Sequence, residues 1–116
     1  MAKVLVTGGA GYVGSVLVPR LLSAGHQVRV LDSLKYQQAS LVSVCLTPGF
    51  EFVRGDVRDR ETVKGALKGT DVVIHLAAIV GAPACARSPD LAEEVNYQST
   101  IMLDDCRDPS QGIIFA

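Results

Sequence analysis

The sequence contains no tryptophan and few other aromatic residues, and its three cysteines show no C-x-x-C spacing. With only His26 and His75 beside them, Cys45, Cys85 and Cys106 form no recognisable metal-binding cluster, so we predict no metal site. We interpret the three cysteines as buried free thiols. A redox-active cysteine is the alternative interpretation.

An excess of charge of either sign is also missing. The chain has 11 basic and 12 acidic residues, a net charge of -1 and a pI near 6.0, and no basic run that would favour nucleic acid or an anionic membrane. The apolar stretch 72–86 is shorter than the roughly 20 residues of a membrane helix and is interrupted by His75, Gly81 and Pro83. Glycines break the N-terminal apolar segment, and no cleavage pattern follows it. We therefore expect a cytoplasmic protein that binds neither nucleic acid nor membrane.

The chain does have the composition of one folded domain, with 116 residues of which 48% are hydrophobic and 20% are charged. Apolar runs alternate along it with helical patterns. They predict strands over 3–7, 27–31, 51–54, 72–76 and 112–116, and helices over 12–24, 39–46, 59–67 and 90–106. This alternation is typical of right-handed βαβ units and predicts an α/β fold: a doubly wound parallel sheet (Rossmann), with five strands in the order 3-2-1-4-5. Gly25 is expected to end the first helix, and Pro19 to kink or strain it.

A glycine-rich turn follows the first predicted strand. Gly9, Gly11 and Gly14 match the pattern G-x-G-x-x-G, and Gly8, Gly11 and Gly14 match G-x-x-G-x-x-G. Glycines there permit positive φ and close approach of the backbone to a pyrophosphate, while the start of the next helix offers free N–H groups to phosphates. A purely structural tight turn is the alternative. A phosphate-binding P-loop is excluded because Ser15, and not a lysine, follows the last glycine.

An acidic residue, Asp32, ends the second apolar run, directly after the predicted strand 27–31, at the distance expected for a ribose-binding carboxylate. Such a carboxylate accepts hydrogen bonds from a free 2′-hydroxyl and repels a 2′-phosphate, so we predict NAD as the cofactor in preference to NADP. The basic residues Arg29 and Lys35 lie near enough in the sequence to qualify this preference. As an alternative, Asp32 caps a helix.

Four motifs together resemble the extended short-chain dehydrogenase/reductase family, the NAD-dependent sugar-nucleotide epimerases and dehydratases. They are the glycine motif 7–14, the ribose acid Asp32, the segment G-D-V-R-D at 55–59 and the segment H-L-A-A at 75–78. The resemblance spans the whole chain but only about the N-terminal third of such an enzyme. We therefore expect one NAD-binding domain over 1–116 that is C-terminally incomplete.

The resemblance also implies which residues bind the cofactor. Pyrophosphate would be lined by Gly8, Gly11, Tyr12, Val13 and Gly14, the adenosine ribose held by Asp32 and Ser33, adenine flanked by Asp56 and Val57, and the nicotinamide ribose passed by Leu76, Ala77, Ala78 and Asn96. Asn96 begins the family's N-x-x-x-T pattern, completed by Thr100, but Ser99 replaces the usual glycine.

Several of these residues also have purely structural interpretations. Asp56 equally fits a cap of the helix after the third strand, and residues 76–78 fit simple packing. His75 fits a hydrogen-bonded strand residue better than an acid or base, because no partner for catalysis is identifiable.

The residues for catalysis that the resemblance implies, a Tyr-x-x-x-Lys pair, do not occur in the sequence. Tyr12, Tyr36 and Tyr97 are followed four residues later by Val16, Ser40 and Ile101. The leading hypothesis is therefore the NAD-binding portion of a sugar-nucleotide epimerase or dehydratase that acts by transient hydride transfer to nicotinamide. The alternatives are a stand-alone, non-catalytic dinucleotide-binding or redox-sensing module and a degenerate fragment without function.

Further expectations concern partners. In the complete enzyme a nucleotide-sugar substrate is expected, with the loop 79–89 facing the sugar, because open α/β sheets bind ligands beyond the carboxyl ends of their strands. Apolar surface left uncovered near the end of the chain predicts a homo-oligomer or aggregation.

Overall fold

A five-stranded, fully parallel sheet organises the protein. The computed structural model describes residues 2–8, 12–33, 46–76 and 99–115. The strands are β1 (Lys3–Thr7), β2 (Gln27–Asp32), β3 (Phe50–Arg54), β4 (Val72–His75) and β5 (Gly112–Phe115), and the helices are α1 (Tyr12–Ser23), α2 (Arg60–Leu67) and α3 (Ser99–Cys106). The strand order is β3-β2-β1-β4-β5. The predicted fold class and strand order are confirmed.

The predicted boundaries of the elements are close to the observed ones. Every predicted strand is present, and neither these strands nor the first and third predicted helices differ by more than one residue at either end. The predicted helix 39–46 lies outside the described residues except for Leu46, which lies in a turn. Of the predicted helix 90–106, the described part is α3.

Alternating side chains divide the core into two layers, one on each face of the sheet. Even-numbered valines of β1 and β2 pack on Val18 of α1. Odd-numbered residues of the same strands pack on α2 and α3; this second cluster includes Leu5, Leu31, Val57, Val63, Ala66, Leu67, Val73 and Leu103. Both faces of the central strands are therefore buried, as expected of a doubly wound parallel sheet.

The helix α1 ends as the sequence predicts. Gly25 has a φ of +91°, its N–H donates to the carbonyl of Leu22 at 3.1 Å, and the N–H of His26 donates to the carbonyl of Leu21 at 3.1 Å. This pair of bonds is a Schellman motif, which satisfies the last carbonyls of a helix around a left-handed residue. Pro19 does not end the helix, which continues through it to Ser23.

The cap of α2 corrects one interpretation of the sequence. Asp59 is the N-cap: its carboxylate accepts from the N–H of Glu61 at 3.1 Å and from the hydroxyl of Thr62 at 2.9 Å. The carboxylate of Asp56 instead accepts from Arg58. The interpretation of Asp56 as a helix cap is therefore wrong, because its carboxylate is bonded two residues along the chain, before the helix begins.

Candidate cofactor-binding site

The carboxyl ends of the parallel strands bring several predicted site residues to one edge of the sheet. The chain leaves β1 toward α1 on one face, whereas α2 and α3 lie on the other, so the strand order reverses between β1 and β4. Open α/β sheets bind ligands at such a switch point. Gly8, Asp32, Asp56 and Leu76 all lie at or just beyond strand ends on this edge.

The turn after β1 begins with a residue that only glycine suits. Gly8 has a φ of +70°, in the left-handed region that disfavours residues with a Cβ. Its N–H donates to the carbonyl of Leu31 at 2.8 Å, which fixes the start of the turn against β2. Beyond it, in the first turn of α1, Gly14 is buried and Val13 is exposed. Gly11 lies outside the described residues.

A buried chain of side chains ties the ends of β1 and β4 to α3. The hydroxyl of Thr7 lies 2.6 Å from Nδ1 of His75, and Nε2 of His75 lies 3.1 Å from the hydroxyl of Thr100. The N–H of Leu76 donates to both the carbonyl and the hydroxyl oxygen of Thr7, at 2.9 and 3.2 Å. His75 is thus a hydrogen-bonded core residue, and its burial lowers its pKa from the ordinary value of 6.5.

The ends of β2 and β3 are joined closely beside Asp32. The N–H of Gly55 donates to the carbonyl of Asp32 at 3.1 Å. A Cβ added to Gly55 would lie 2.5 Å from Cγ2 of Thr62 and 3.3 Å from Cδ1 of Leu31, so no side chain fits there. Asp32 itself is half-buried at the end of its strand, and Ser33 after it is exposed.

The Asp56 carboxylate lies two residues beyond the end of β3 and is held by Arg58. Oδ1 accepts from the main-chain N–H of Arg58 at 2.9 Å, and Nε lies 3.0 Å from each carboxylate oxygen. Nη2 lies 2.5 Å from Oδ2. Val57, between them, is buried against the α2 side of the sheet. The D-x-R spacing at 56–58 was the signal in the sequence for this pairing, which was not predicted.

Arg29 is engaged far from the predicted ribose site. Its Nη1 donates to the carbonyls of Ala66 and Lys68, at 2.7 and 2.8 Å, and its Nε pairs with Glu51 at 3.1 Å. Alternation along β2 also places Arg29 on the face opposite that of Asp32. Arg29 therefore caps the C-terminal end of α2. Its guanidinium gives no reason to weaken the predicted preference for NAD over NADP. Lys35 lies outside the described residues.

Some of the predicted site residues and cysteines lie outside the described part of the chain. Besides Gly11, the predicted site residues Ala77, Ala78 and Asn96 lie outside the described residues, as do Cys45 and Cys85. Cys106 is a half-buried free thiol whose sulfur accepts from Nη1 of Arg60 at 3.4 Å.

The described part of the chain contains neither a grouped set of metal ligands nor a membrane-spanning helix. Within 2–8, 12–33, 46–76 and 99–115, no three His, Cys, Asp or Glu side chains are grouped as metal ligands would be. No helix in the same part of the chain has the length and hydrophobicity to cross a membrane.

The sequence is similar to those of known proteins over most of its length. The chain is 41% identical over 80 residues to a 3β-hydroxysteroid dehydrogenase/Δ5→4-isomerase of Mycobacterium tuberculosis, covering 69% of this chain and 20% of that protein. It is 36% identical over 108 residues to the UDP-glucose 4-epimerase of Neisseria meningitidis serogroup B, covering 89% of this chain and 32% of the relative. The chain thus spans a third or less of these relatives' lengths.

The fold is also found in solved structures of other proteins. The dTDP-glucose 4,6-dehydratase DesIV of Streptomyces venezuelae, solved with NAD bound, superposes with a TM-score of 0.83 at 37% identity, covering 90% of this chain and 35% of that one. The model of the NAD dependent epimerase/dehydratase family matches residues 4–108. A match over this length, on a sheet of the predicted order, shows that the chain belongs to the NAD-dependent epimerase/dehydratase family.

Proposed function

We propose that this chain is the NAD-binding portion of a sugar-nucleotide epimerase or dehydratase. The observation that carries the proposal is the juxtaposition, at the switch point of the sheet, of the left-handed turn at Gly8 with the Asp32 carboxylate at the end of the neighbouring strand. A glycine turn leading into a helix suits a pyrophosphate, and a carboxylate on the next strand suits ribose hydroxyls.

The proposed roles follow the order of the strands across the sheet. Main-chain groups from Gly8 to Gly14 take the pyrophosphate, Asp32 with Ser33 takes the adenosine ribose, and Asp56 with Val57 lies beside adenine. On the other side of β1, Leu76 to Ala78 and Asn96 pass the nicotinamide ribose. The adenosine half of the cofactor would therefore lie over β2 and β3 and the nicotinamide half over β4.

A preference for NAD over NADP has a physical basis in the negative charge of Asp32 and in the engagement of Arg29 elsewhere. A 2′-phosphate would lie against this carboxylate and be repelled by it. Arg29, the nearest basic residue in sequence among those described, has its guanidinium occupied by Glu51 and the end of α2. Tighter binding of NADPH than of NADH in a fluorescence titration would contradict this preference.

Bound NAD supplies a hydride acceptor, and in the family chemistry implied by the resemblance a tyrosine removes the proton of the substrate hydroxyl. None of the three tyrosines of this chain has a lysine four residues later. We therefore assign to the residues of this chain the binding and orientation of the cofactor. Nucleotide sugars are the proposed substrates of the complete protein.

Titration of the chain with NADH, followed by fluorescence and by thermal stability, tests the proposal. Saturable binding is expected, and Asp32→Ala should weaken it about tenfold or more, because charge-assisted hydrogen bonds to the ribose hydroxyls are lost. Asp105→Asn, which removes a negative charge from the exposed surface of α3, is the control and should bind as the unchanged chain does. No binding by a chain that melts cooperatively would overturn the proposal.

A further inference from the structure

His75, the last residue of β4, bridges two neighbouring elements with its two ring nitrogens. Nδ1 lies 2.6 Å from the hydroxyl of Thr7 at the end of β1, and Nε2 lies 3.1 Å from the hydroxyl of Thr100 in the first turn of α3. Thr7 is already the partner of His75 in the register of β1 and β4. The bond to Thr7 therefore reinforces a pairing of strands, whereas the bond to Thr100 joins the sheet to a helix 25 residues further along the chain.

The apolar contacts between α3 and the sheet constrain the start of the helix less strictly than this hydrogen bond does. Leu103 of α3 lies in the same buried cluster as Val73 of β4. Apolar contacts have no preferred direction, whereas a hydrogen bond weakens when either its distance or its angle changes. The bond from His75 to Thr100 therefore sets the position of the first turn of α3 on the end of β4.

Stability alone does not account for a histidine at this position. The side chain is buried, with 7% of the residue accessible, and a buried ring needs a partner for each nitrogen. Replacement of both members of a buried hydrogen bond by apolar groups of the same shape is often nearly neutral for folding. Placement of the helix is an effect that an apolar pair would not give.

The segments that the bond joins relate it to the cofactor. Leu76, the first residue proposed to pass the nicotinamide ribose, follows His75 directly, and its N–H donates to the carbonyl and the hydroxyl oxygen of Thr7. Asn96, which is proposed to pass the same ribose, precedes Thr100 by four residues in the sequence. The bond between His75 and Thr100 thus connects the two segments to which the nicotinamide half is assigned.

We propose that His75 is a positioning residue whose bond to Thr100 holds the start of α3 at the distance from β4 that seats the nicotinamide ring. The inference rests on the proposed function, because it takes the nicotinamide half of the cofactor to lie over β4. His75 acts through the segments on either side and not by contact with the ring. The adenosine half is assigned to β2 and β3, so loss of this bond should affect the nicotinamide end alone.

Isothermal titration of the chain with NADH and with ADP-ribose separates the two ends of the cofactor. ADP-ribose has the adenosine, the pyrophosphate and the second ribose, carries the same charge as NADH and lacks the nicotinamide ring. We expect the unchanged chain to prefer NADH about fivefold or more, which corresponds to about one net hydrogen bond. His75→Asn keeps an amide atom near the place of Nδ1 but ends short of Thr100. The preference should therefore fall at least about threefold, while affinity for ADP-ribose stays the same.

Matched variants test whether the bond to Thr100 is the cause. His75→Gln brings an amide group near the place of Nε2, so it should keep most of the preference. Thr100→Val should lower the preference as His75→Asn does, with no further loss in the double variant, whereas Thr100→Ser should keep it. Thr70→Val is the control, because it removes a buried hydroxyl at the opposite end of the sheet and should leave the preference unchanged. Melting temperatures verify that every variant is folded during the titration.

The outcomes separate the two proposals. A preference that falls in His75→Asn and is kept in His75→Gln supports the positioning role. Equal affinity of the unchanged chain for NADH and ADP-ribose, an unchanged preference in His75→Asn or Thr100→Val, or equal weakening of both ligands overturns that role and leaves the proposed function standing. Binding of neither ligand by the folded chain overturns the proposed function and this inference with it.

Discussion

Thr7 is fully buried but carries a hydroxyl, because polar groups from β4 converge on it. Its oxygen lies 2.6 Å from Nδ1 of His75 and accepts from the N–H of Leu76 at 3.2 Å. Valine at this position keeps the shape and leaves a buried ring nitrogen without this partner. We expect Thr7→Val to lower the free energy of unfolding by about 1–3 kcal/mol, measured by urea denaturation.

A comparison with two other threonine variants tests that explanation. Thr7→Ser keeps the hydroxyl and should lose clearly less stability than Thr7→Val. Thr70→Val removes another buried hydroxyl, one that donates to the carbonyl of Leu67 at the opposite end of the sheet. It should cost a similar amount of stability but leave NADH affinity unchanged. Equal stability of Thr7→Val and the unchanged chain would contradict the account of Thr7.

The histidine beside Thr7 gives the protein a pH dependence of known sign. Burial lowers the pKa of His75 below 6.5, so the unfolded chain binds a proton at a pH where the folded chain still resists it. The free energy of unfolding should therefore be fully developed above pH 6.5 and fall as the pH decreases through and below that value. Urea denaturation between pH 5 and pH 8 measures the slope, and His75→Asn, which does not titrate, should reduce it. An unchanged slope in that variant would assign the effect elsewhere.

Gly55 is required for space and not for its backbone angle. An alanine Cβ would lie 2.5 Å from Cγ2 of Thr62, a β-branched side chain that moves little. We expect Gly55→Ala to lower the free energy of unfolding by about 1–3 kcal/mol. Thr62→Ser removes the clashing methyl and keeps the hydroxyl that bonds Asp59, so the double variant should recover most of the loss. Failure of this rescue would show that the clash is not the cause.

At the scale of helices, two glycines give the same substitution opposite signs. Gly25 has a φ of +91° at the end of α1, whereas Gly65 lies exposed within α2, and a Cβ meets nothing within 4 Å at either place. Gly25→Ala should therefore destabilise by about 1 kcal/mol through backbone strain alone, and Gly65→Ala should stabilise by about 0.5–1 kcal/mol. Chemical denaturation of both variants measures the difference. The same sign for both would contradict the backbone explanation.

The boundaries of these elements were predictable because local chemistry and the hydrophobic pattern agree along most of the chain. Valine-rich runs indicated strands buried on both faces, and Gly25 marked the end of α1. The cap of α2 was not predictable in the same way. Asp56 and Asp59 lie three residues apart before the helix, and only the structure shows that Arg58 holds the first while the second accepts from Glu61 and Thr62.

For the site, the sequence identified residues at strand ends but not the contacts that hold them. The positions of Gly8, Asp32 and Asp56 follow from a sheet of known strand order. The link from Thr7 through His75 to Thr100 joins residues up to 93 positions apart, as their numbers show, and rests on distances between side chains. Strand periodicity carries no information about such contacts, whereas the register of β1 on β4 brings Thr7 and His75 together.

For the whole molecule, the two faces of the sheet differ in how much the described helices cover. A helix is about 10 Å across with its side chains, and five strands extend over about 19 Å. In the described part of the chain, α1 packs on β1 and β2 on one face, while α2 and α3 share the other. On the face of α1, the outer strands expose Phe52 and Ile114, 37% and 54% accessible.

Exposed apolar side chains favour association between molecules. The unpaired main-chain groups at the edge of a sheet favour it further. We therefore expect the 116-residue chain to associate as its concentration rises in light scattering. Ile114→Thr should shift that association to higher concentration, since it removes apolar area from β5. Ile101→Thr, at a similarly exposed isoleucine of α3 on the opposite face, should have less effect. A monodisperse monomer at all concentrations would show that the exposed face of β5 does not drive assembly.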